Sequence, residues 1–393
     1  MNILILSPFL PYPLDQGGKI RIFNIIKHLS RSHAVTLAAV VDDRNAADLR
    51  PLQELCEEVV LVERPARLWP DRMAFFGGRA PYNVIRYRSE TMRAALDSLR
   101  RRRKFDLVQV EFAMMWQYAD LFDATPVILD AHNIEHKNVQ QIGNTRRNLA
   151  WRLMYRLEEK RLRQVEEHAW RDCALCFAVS EEERDEIAAR TGDDGKVVTA
   201  ANGVDLERFP FRPRQPAGKK ILFLGGMDYA PNLDAATYFL TEVFPLIRRD
   251  EPDATLLLVG RELGRLGHAS AHPGVEYHES VPEVLPWFYA ADVLAVPLRQ
   301  GAGTRIKVLE AMAAGLPVVS TAKGCEGILA QNGVHLLCGE TCDAFAAAVR
   351  EALTDRPRME KISRNARGLI EAGYSWHSTV DQMELGYRKA EKG

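Results

Sequence analysis

The chain reads as an α/β protein of two Rossmann-like, doubly wound domains facing one another across a cleft, and three observations predict this. Short apolar runs of strand length alternate with amphipathic stretches of helix length from end to end. A Pro-rich interruption, Asn202–Pro216 with Gly203, Pro210, Pro213 and Pro216, separates two such series. The second series contains a strand, a glycine-rich loop, a helix, a glycine stop and a further strand between Ala291 and Thr321. A length of 393 residues suits two domains of ordinary size.

The elements follow in order. The first series places strands at Ile3–Ser7, Ala34–Val40, Val59–Val62, Leu107–Val110, Val127–Asp130, Leu175–Val179 and Val197–Ala200. The second places them at Ile221–Gly225, Thr255–Val259, Val275–Tyr277, Val293–Pro297, Val318–Ser320 and His335–Cys338. These are near-continuous Val/Ile/Leu runs, as expected of strands buried on both faces of a parallel sheet. Open parallel sheets bind ligands beyond the C-terminal ends of their strands, so the loops after the strands carry the functional candidates.

After the first strand, Pro11–Lys19 brings Asp15, Gly17 and Gly18 into a helix expected at Ile20–Ser30; the glycines permit close approach of backbone to a ligand. After Val127–Asp130 comes Ala131-His132-Asn133-Ile134-Glu135, with His132 and Glu135 at the mouth of the sheet. The second domain's first strand leads into Gly225-Gly226-Met227-Asp228, with Asn232 as the expected N-cap of a helix starting near Leu233.

The strongest pattern is GAGTRIKVLEAMAAGLPVVST, Gly301–Thr321. Backbone N–H groups of the Gly301–Thr304 loop, together with Arg305 and Lys307, gather at the positive end of a helix, which favours phosphate. Ile306, Leu309 and Ala313 are spaced to face a core, while Lys307 and Glu310 share another face. A carboxylate beside a phosphate cradle suits sugar hydroxyls. The alternative for that pair is a surface ion pair at i, i+3, worth little. Phosphate and hydroxyls together point to a nucleotide or a nucleotide sugar.

Composition narrows the class. Hydrophobic residues make up 47% and charged residues 27%, with a net charge of −1. Nothing here suggests a nucleic-acid partner, and no apolar run approaches the ~20 residues of a spanning helix. The opening MNILILSPFL has no basic residues before its apolar part and reads as a strand broken at Pro8 rather than a signal peptide. The six cysteines show no metal or disulfide spacing and read as buried or incidental thiols in a reducing cytoplasm. Between Arg64 and Lys104 there are twelve Lys/Arg against three acidic residues, interleaved with Trp69, Phe75, Phe76, Tyr82 and Tyr87. Aromatics among cations suit contact with anionic lipid headgroups, such as those on the cytoplasmic face of an inner membrane; the plainer alternative is a solvated helix face. The arginines of a second helix, Arg146–Arg171, are balanced by glutamates.

These residues resemble the GT-B glycosyltransferases, specifically the retaining group known as family 4. The resemblance covers essentially the whole chain and is most specific at Pro297–Thr321. The N-terminal glycine pair, AHNIE at Ala131–Glu135, FAVSEEER at Phe177–Arg184, NGVDLERF at Asn202–Phe209 and a final helix within Tyr374–Ala390 support it. It implies an acceptor-binding domain over 1–207, joined by a returning helix at 375–393, and a nucleotide-sugar domain over 208–374. By motif match, Glu310 holds the ribose hydroxyls, and Gly301, Ala302, Gly303 and Thr304 meet the diphosphate or the donor sugar. Gly17 and Gly18 close over the phosphates, with Gly225 and Gly226 in the matching loop of the second domain. His132 lies near the transferred sugar. Apart from the motif match, Asp15 and Glu135 are candidates for acceptor-binding carboxylates and for a base. The group needs no metal and no cofactor beyond its donor substrate.

Two departures stand out. The family motif has glutamates eight positions apart, and Ala302 stands where the first belongs. Many members also carry Arg and Lys after the second domain's first strand, where this chain reads GGMDYAPN. The expectation is that Arg305 and Lys307 compensate and, with helix N–H groups, assist departure of the diphosphate, while the resemblance implies that His132 binds the transferred sugar or stabilises the transition state. The pattern resembles a subset acting in bacterial exopolysaccharide and cell-envelope synthesis, on a glycan or lipid-linked acceptor. Alternatives are a nucleotide-sugar 2-epimerase and a non-catalytic homologue that binds a nucleotide sugar or glycan.

Overall fold

A computed structural model describes residues 1–44, 48–64, 80–144, 146, 148–213, 218–270, 272–301 and 303–391, with backbone alone at 268–270. Its contacts divide the chain into two units, Met1–Asn202 with Trp376–Gly393, and Gly203–Ser375.

The first unit is built on a seven-stranded sheet of β1 (Asn2–Ser7), β2 (Ala34–Val41), β3 (Glu58–Glu63), β4 (Leu107–Glu111), β5 (Val127–Ala131), β6 (Leu175–Ala178) and β7 (Val197–Thr199). Their order is β3-β2-β1-β4-β5-β6-β7, and every pairing is parallel. The second unit holds β8 (Lys220–Leu224), β9 (Thr255–Gly260), β10 (Val275–Glu279), β11 (Val293–Val296), β12 (Val318–Ser320) and β13 (Leu337–Cys338). Here the order is β10-β9-β8-β11-β12-β13, again all parallel. Each expected strand therefore forms. The connections reverse direction between β1 and β4, and again between β8 and β11. Such switch points are where open α/β sheets bind ligands.

Six helices carry the argument: α1 (Gly17–Leu29), α2 (Glu135–Asn144), α3 (Leu149–Asp172), α4 (Ala230–Tyr238), α5 (Ile306–Ala314) and α6 (Trp376–Ala390). Strand β1 shows why the first sheet needs cover on both faces. Ile3 and Ile5 join one core with Ile22, Ile25 and Tyr387, whereas Leu4 and Leu6 join the other with Trp170 and Val110. Helix α1 begins earlier than the sequence suggests, so Gly17 and Gly18 form its first turn. Helix α4 also begins early. Its N-cap is Tyr229, without a side-chain bond, and Asn232 lies inside the helix rather than capping it. Pro231 near the start explains the shift, because proline tolerates a first helical turn, where its missing N–H is no loss. Gly315 ends α5 in the left-handed conformation (φ 85°), as a glycine stop should.

Candidate functional site

In the first unit the loops after β1, β4 and β5 converge. His132 is buried and stacks on Phe112, with ring centroids 3.9 Å apart. Phe9 meets Phe112 edge-on. A Cβ on Gly18 would lie 3.0 Å from Phe9 Cζ, 3.3 Å from Phe112 Cζ and 3.6 Å from His132 Nδ1. Glycine is thus needed at position 18 for the first turn of α1 to sit against this wall. Phe112 itself has φ 65°, an unusual conformation for a bulky residue and one found at ligand sites.

Behind the wall lies a buried polar network. Glu111 Oε2 is 2.7 Å from His132 Nε2, so His132 is held by a carboxyl rather than acting as a cap. Arg21 grips Asp130 with both arms of its fork, Nε to Oδ2 at 2.8 Å and Nη2 to Oδ1 at 2.7 Å. Its third nitrogen donates to Asn202 Oδ1 at 3.1 Å. Gln109 Nε2 donates to Glu111 Oε1 at 2.6 Å, and Tyr387 of α6 donates to Gln109. Burial opposes the Arg21 charge, but Asp130 more than restores it and raises its pKa. Burial also works against the Asp130 charge, yet Arg21 brings that carboxylate below its ordinary value. Burial, with the Asp130 charge added, pushes Glu111 well up. Burial takes His132 down to about 3, so the imidazole is neutral at physiological pH. One guanidinium then offsets one carboxylate, and the same burial and Asp130 charge favour the neutral form of Glu111. Glu111, Asp130 and His132 offer atoms within 4.8 Å of one another, a spacing that could hold a metal ion. Arg21 already engages both oxygens of Asp130, however, and a cation there would face that guanidinium.

Asp15 forms an ion pair with Lys19 at 2.9 Å beside α1. Glu135 opens α2, where its N–H and that of His136 donate to Glu166 of α3 at 2.7 and 3.0 Å. Burial and the nearby Glu166 charge raise Glu135 to about 7.

In the second unit, the loops after β8 and β11 flank the switch point. Lys307 donates to the Leu224 carbonyl at 2.7 Å and to Asn232 Oδ1 at 3.3 Å. It does not pair with Glu310, so the surface ion pair is excluded. Asn232 also donates to the Gly226 carbonyl at 3.0 Å. A Cβ on Gly225 would meet Asn232 Cγ at 2.8 Å, and one on Gly226 would meet Asp228 Oδ1 at 2.3 Å. Gly225 therefore leaves room for the Asn232 side chain that steers Lys307, and Gly226 leaves room for Asp228. Desolvation, then the nearby Arg305 charge, lowers Lys307 to about 7. Arg305 sits at the N-cap of α5 and donates to the Gly303 carbonyl. Gly301 has φ 112°, and Gly301 and Thr304 are buried. Ala302 lies outside the described residues.

Glu310 is 7% exposed on α5, and among the described residues it has no hydrogen bond or ion pair. Burial raises it to about 7, against the attraction of Arg208. Arg208 is itself bonded to Glu283 at 3.0 Å. A buried carboxylate without a partner is costly unless something supplies donors.

Sequence reasoning did not single out Arg21, Glu111, Asp130 or Arg208, nor the link from Asn232 to Lys307. A signal was present for two of them. Glu111 and Asp130 are charged residues at the C-terminal ends of otherwise apolar strands, where a sheet meets its ligand.

Two family models match the chain: one described as Glycosyltransferase Family 4 over residues 16–208, the other as Glycosyl transferases group 1 over 218–355. The chain belongs to the family 4 glycosyltransferases. This glycosyltransferase is 21% identical over 387 residues to an uncharacterized 44.6 kDa protein in the cps region of Klebsiella pneumoniae, covering 95% of this chain and 96% of that one. It is 26% identical over 248 residues to a glycogen synthase of Mycobacterium tuberculosis, spanning 60% of this chain and 58% of that protein. Among solved structures, Anabaena HepE in complex with UDP and glucose matches with a TM-score of 0.71 at 14% identity, over 99% of both chains. That likeness is one of fold, the GT-B arrangement of two Rossmann-like units. Among the described residues, no helix is long and apolar enough to cross a membrane.

Proposed function

We propose that this glycosyltransferase retains anomeric configuration and moves a sugar from a nucleoside-diphosphate sugar to a glycan or lipid-linked acceptor. We place it in polysaccharide or cell-envelope synthesis on the cytoplasmic side. One observation carries the donor reading: Glu310 is buried and, among the described residues, unpartnered, one turn beyond Lys307 on α5. Ribose hydroxyls would satisfy it. A diphosphate would give Lys307 and Arg305 the anion that their desolvation calls for. The Klebsiella relative's location in a cps region supports the polysaccharide setting, and the UDP and glucose held by HepE make UDP-glucose the first donor to test.

In the reaction, the bond from the anomeric carbon to the diphosphate breaks as negative charge collects on the leaving oxygen. Arg305, protonated Lys307 and the N–H groups of Gly303 and Thr304 are the groups that would offset that charge. These groups provide the electrostatic stabilisation for which other transferases use a metal. The acceptor hydroxyl attacks from the face the diphosphate leaves. The first unit takes the acceptor, with Asp15 and Glu135 as its carboxylates. Neutral His132, fixed through Nε2, offers its other ring nitrogen to a sugar hydroxyl.

A thermal-shift panel of UDP-, GDP-, ADP- and dTDP-sugars tests the donor assignment. A ligand at about a hundred times its Kd adds roughly 2.7 kcal/mol to the native state, a shift of several degrees. One base should stand out, and Glu310→Ala should abolish its shift. If no sugar nucleotide acts, or if Glu310→Ala responds like wild type, the donor reading is wrong. NMR of the first-formed product tests retention, because its anomer should match the donor's.

A further inference from the structure

The exposed apolar side chains of the first unit are concentrated rather than scattered. Leu149, Trp151, Leu153 and Leu157 are 77%, 53%, 59% and 47% exposed, and all four lie within the first nine residues of α3. Leu149, Leu153 and Leu157 follow at i, i+4 and i+8, one above another on the helix. A stripe of this kind on a soluble unit marks an interaction surface.

The surrounding charge identifies the partner. From His136 to Leu157 the sequence contains no Asp or Glu, while Lys137, Arg146, Arg147, Arg152 and Arg156 are all cationic. The glutamates that balance this helix on paper lie beyond the stripe and are occupied. Glu158 is buried and accepts the Tyr82 N–H at 2.7 Å, Glu159 pairs with Arg163, and Glu166 caps α2. A crevice lined by Gln140, Asn144, Arg152, Tyr155, Arg156 and Glu159 opens beside the stripe; its one carboxylate is the Glu159 already paired with Arg163, and its arginines and amides are donors suited to a phosphate headgroup.

The stretch that the sequence favoured for lipid contact looks different. Residues 65–79 lie outside the described residues. Of the remaining cations between Arg64 and Lys104, Arg64 pairs with Asp42, Arg93 with Asp120, Arg100 and Arg101 with Asp97, Arg102 with Glu58, and Arg103 with Glu57. Those charges are largely answered within the protein.

We propose that the N-terminal half of α3, from Leu149 to Lys160, docks the first unit onto an anionic phospholipid surface. Leu149, Leu153 and Leu157 enter the headgroup boundary, and Arg152, Arg156 and Lys160 meet lipid phosphates. An amphipathic helix with leucines on one face and cations beside them binds in this way, lying in the plane of the interface. The inference stands apart from the reaction and holds whatever donor is used.

Vesicle co-sedimentation of the full chain tests it. The wild-type protein should sediment with phosphatidylcholine vesicles carrying about 30 mol% phosphatidylglycerol, far less with phosphatidylcholine alone, and less as salt is raised. Leu153→Ser with Leu157→Ser should reduce partitioning by roughly tenfold or more, at an unchanged melting temperature, because both side chains are exposed. Leu385→Ser, at a leucine 56% exposed on α6, should bind as wild type does. Arg156→Gln with Lys160→Gln gives a second readout if the serine pair folds poorly, and should also cost on the order of tenfold. Equal binding to both vesicle types, or by wild type and both α3 variants, overturns the proposal. So does a concentration-dependent dimer in light scattering that Leu153→Ser with Leu157→Ser dissolves, since a second copy would then cover the stripe.

Discussion

Lys307 and Glu310 stand three residues apart on α5, and burial brings both to about 7 from opposite sides. Donor binding should undo both shifts. A diphosphate stabilises the Lys307 cation and draws a proton in; ribose hydroxyls stabilise the Glu310 carboxylate and expel one. At about pH 8 the free Lys307 is roughly 10% protonated, so binding takes up about 0.9 proton while Glu310 releases about 0.1. At about pH 6 the proportions reverse, with about 0.9 released and 0.1 taken up. Wild type should therefore show net release at pH 6, net uptake at pH 8 and almost no exchange near neutrality. Glu310→Gln should show uptake alone, with donor affinity falling about fivefold from pH 7 to 8. Lys307→Met should show release alone. Titration calorimetry with UDP-glucose, or whichever sugar nucleotide stabilises the protein, reads proton exchange directly when repeated in two buffers of different ionisation enthalpy. If proton exchange is flat across this range, or if the two variants exchange protons as wild type does, these residues do not meet the donor as proposed.

Four further outcomes follow from the same geometry. Arg21→Met leaves Asp130 buried without its partner and should destabilise the first unit by about 3–5 kcal/mol in denaturant unfolding; a loss under about 1 kcal/mol contradicts the network. Glu111 has a raised native pKa, so its contribution is full below the unfolded value of about 4.3 and is lost as pH climbs through the native pKa. Glu111→Gln keeps the shape without the proton, so its melting temperature should gain on wild type as pH rises through that window. Gly225→Ala should lower the melting temperature by pressing on Asn232, and adding Asn232→Ala should recover part of the loss, a coupling that a double-mutant cycle measures. The hydrogen bond with Cys338 lowers Cys325 to about 7, whereas burial lifts Cys56 to about 12. Iodoacetamide near neutral pH should therefore label Cys325 well before Cys56, as peptide mass spectrometry would report.

The fold was legible because its signals are local. Thirteen apolar runs, glycine stops and a proline-rich join each announce themselves within a few residues, and parallel strands buried on both faces cannot hide their composition. Half of the proposed donor site was legible for the same reason: the Gly301 loop, Arg305, Lys307 and Glu310 fall within one short segment. What the segment could not reveal was direction. Lys307 turns back to Leu224 and Asn232 rather than to Glu310, and only the tertiary structure shows that Glu310 is left without a partner among the described residues. Asn232 was misread because its polar side chain suits a cap, while Pro231 had already moved the helix start upstream.

The network behind His132 was hidden for a deeper reason. Arg21 reaches Asp130 across 109 positions, and Tyr387 reaches Gln109 across 278. No periodicity connects residues so far apart, and each alone has a bland explanation. Arg21 passes for a surface residue of an amphipathic helix, and Tyr387 for core. Together they pin the last helix and the first onto the strands that carry Glu111 and Asp130. His132 therefore sits neutral and oriented before any substrate arrives. A site residue whose position depends on both ends of the chain is sensitive to changes far from it. Tyr387→Phe, remote in sequence and fully buried, removes the donor to Gln109 and should loosen the Glu111 contact to His132. The readout is the ring nitrogen-15 signals of His132, assigned by their loss in His132→Gln: the proton held on one nitrogen in wild type should become exchange-averaged between both. Unchanged signals would show that Gln109 and Glu111 hold the imidazole without help from α6.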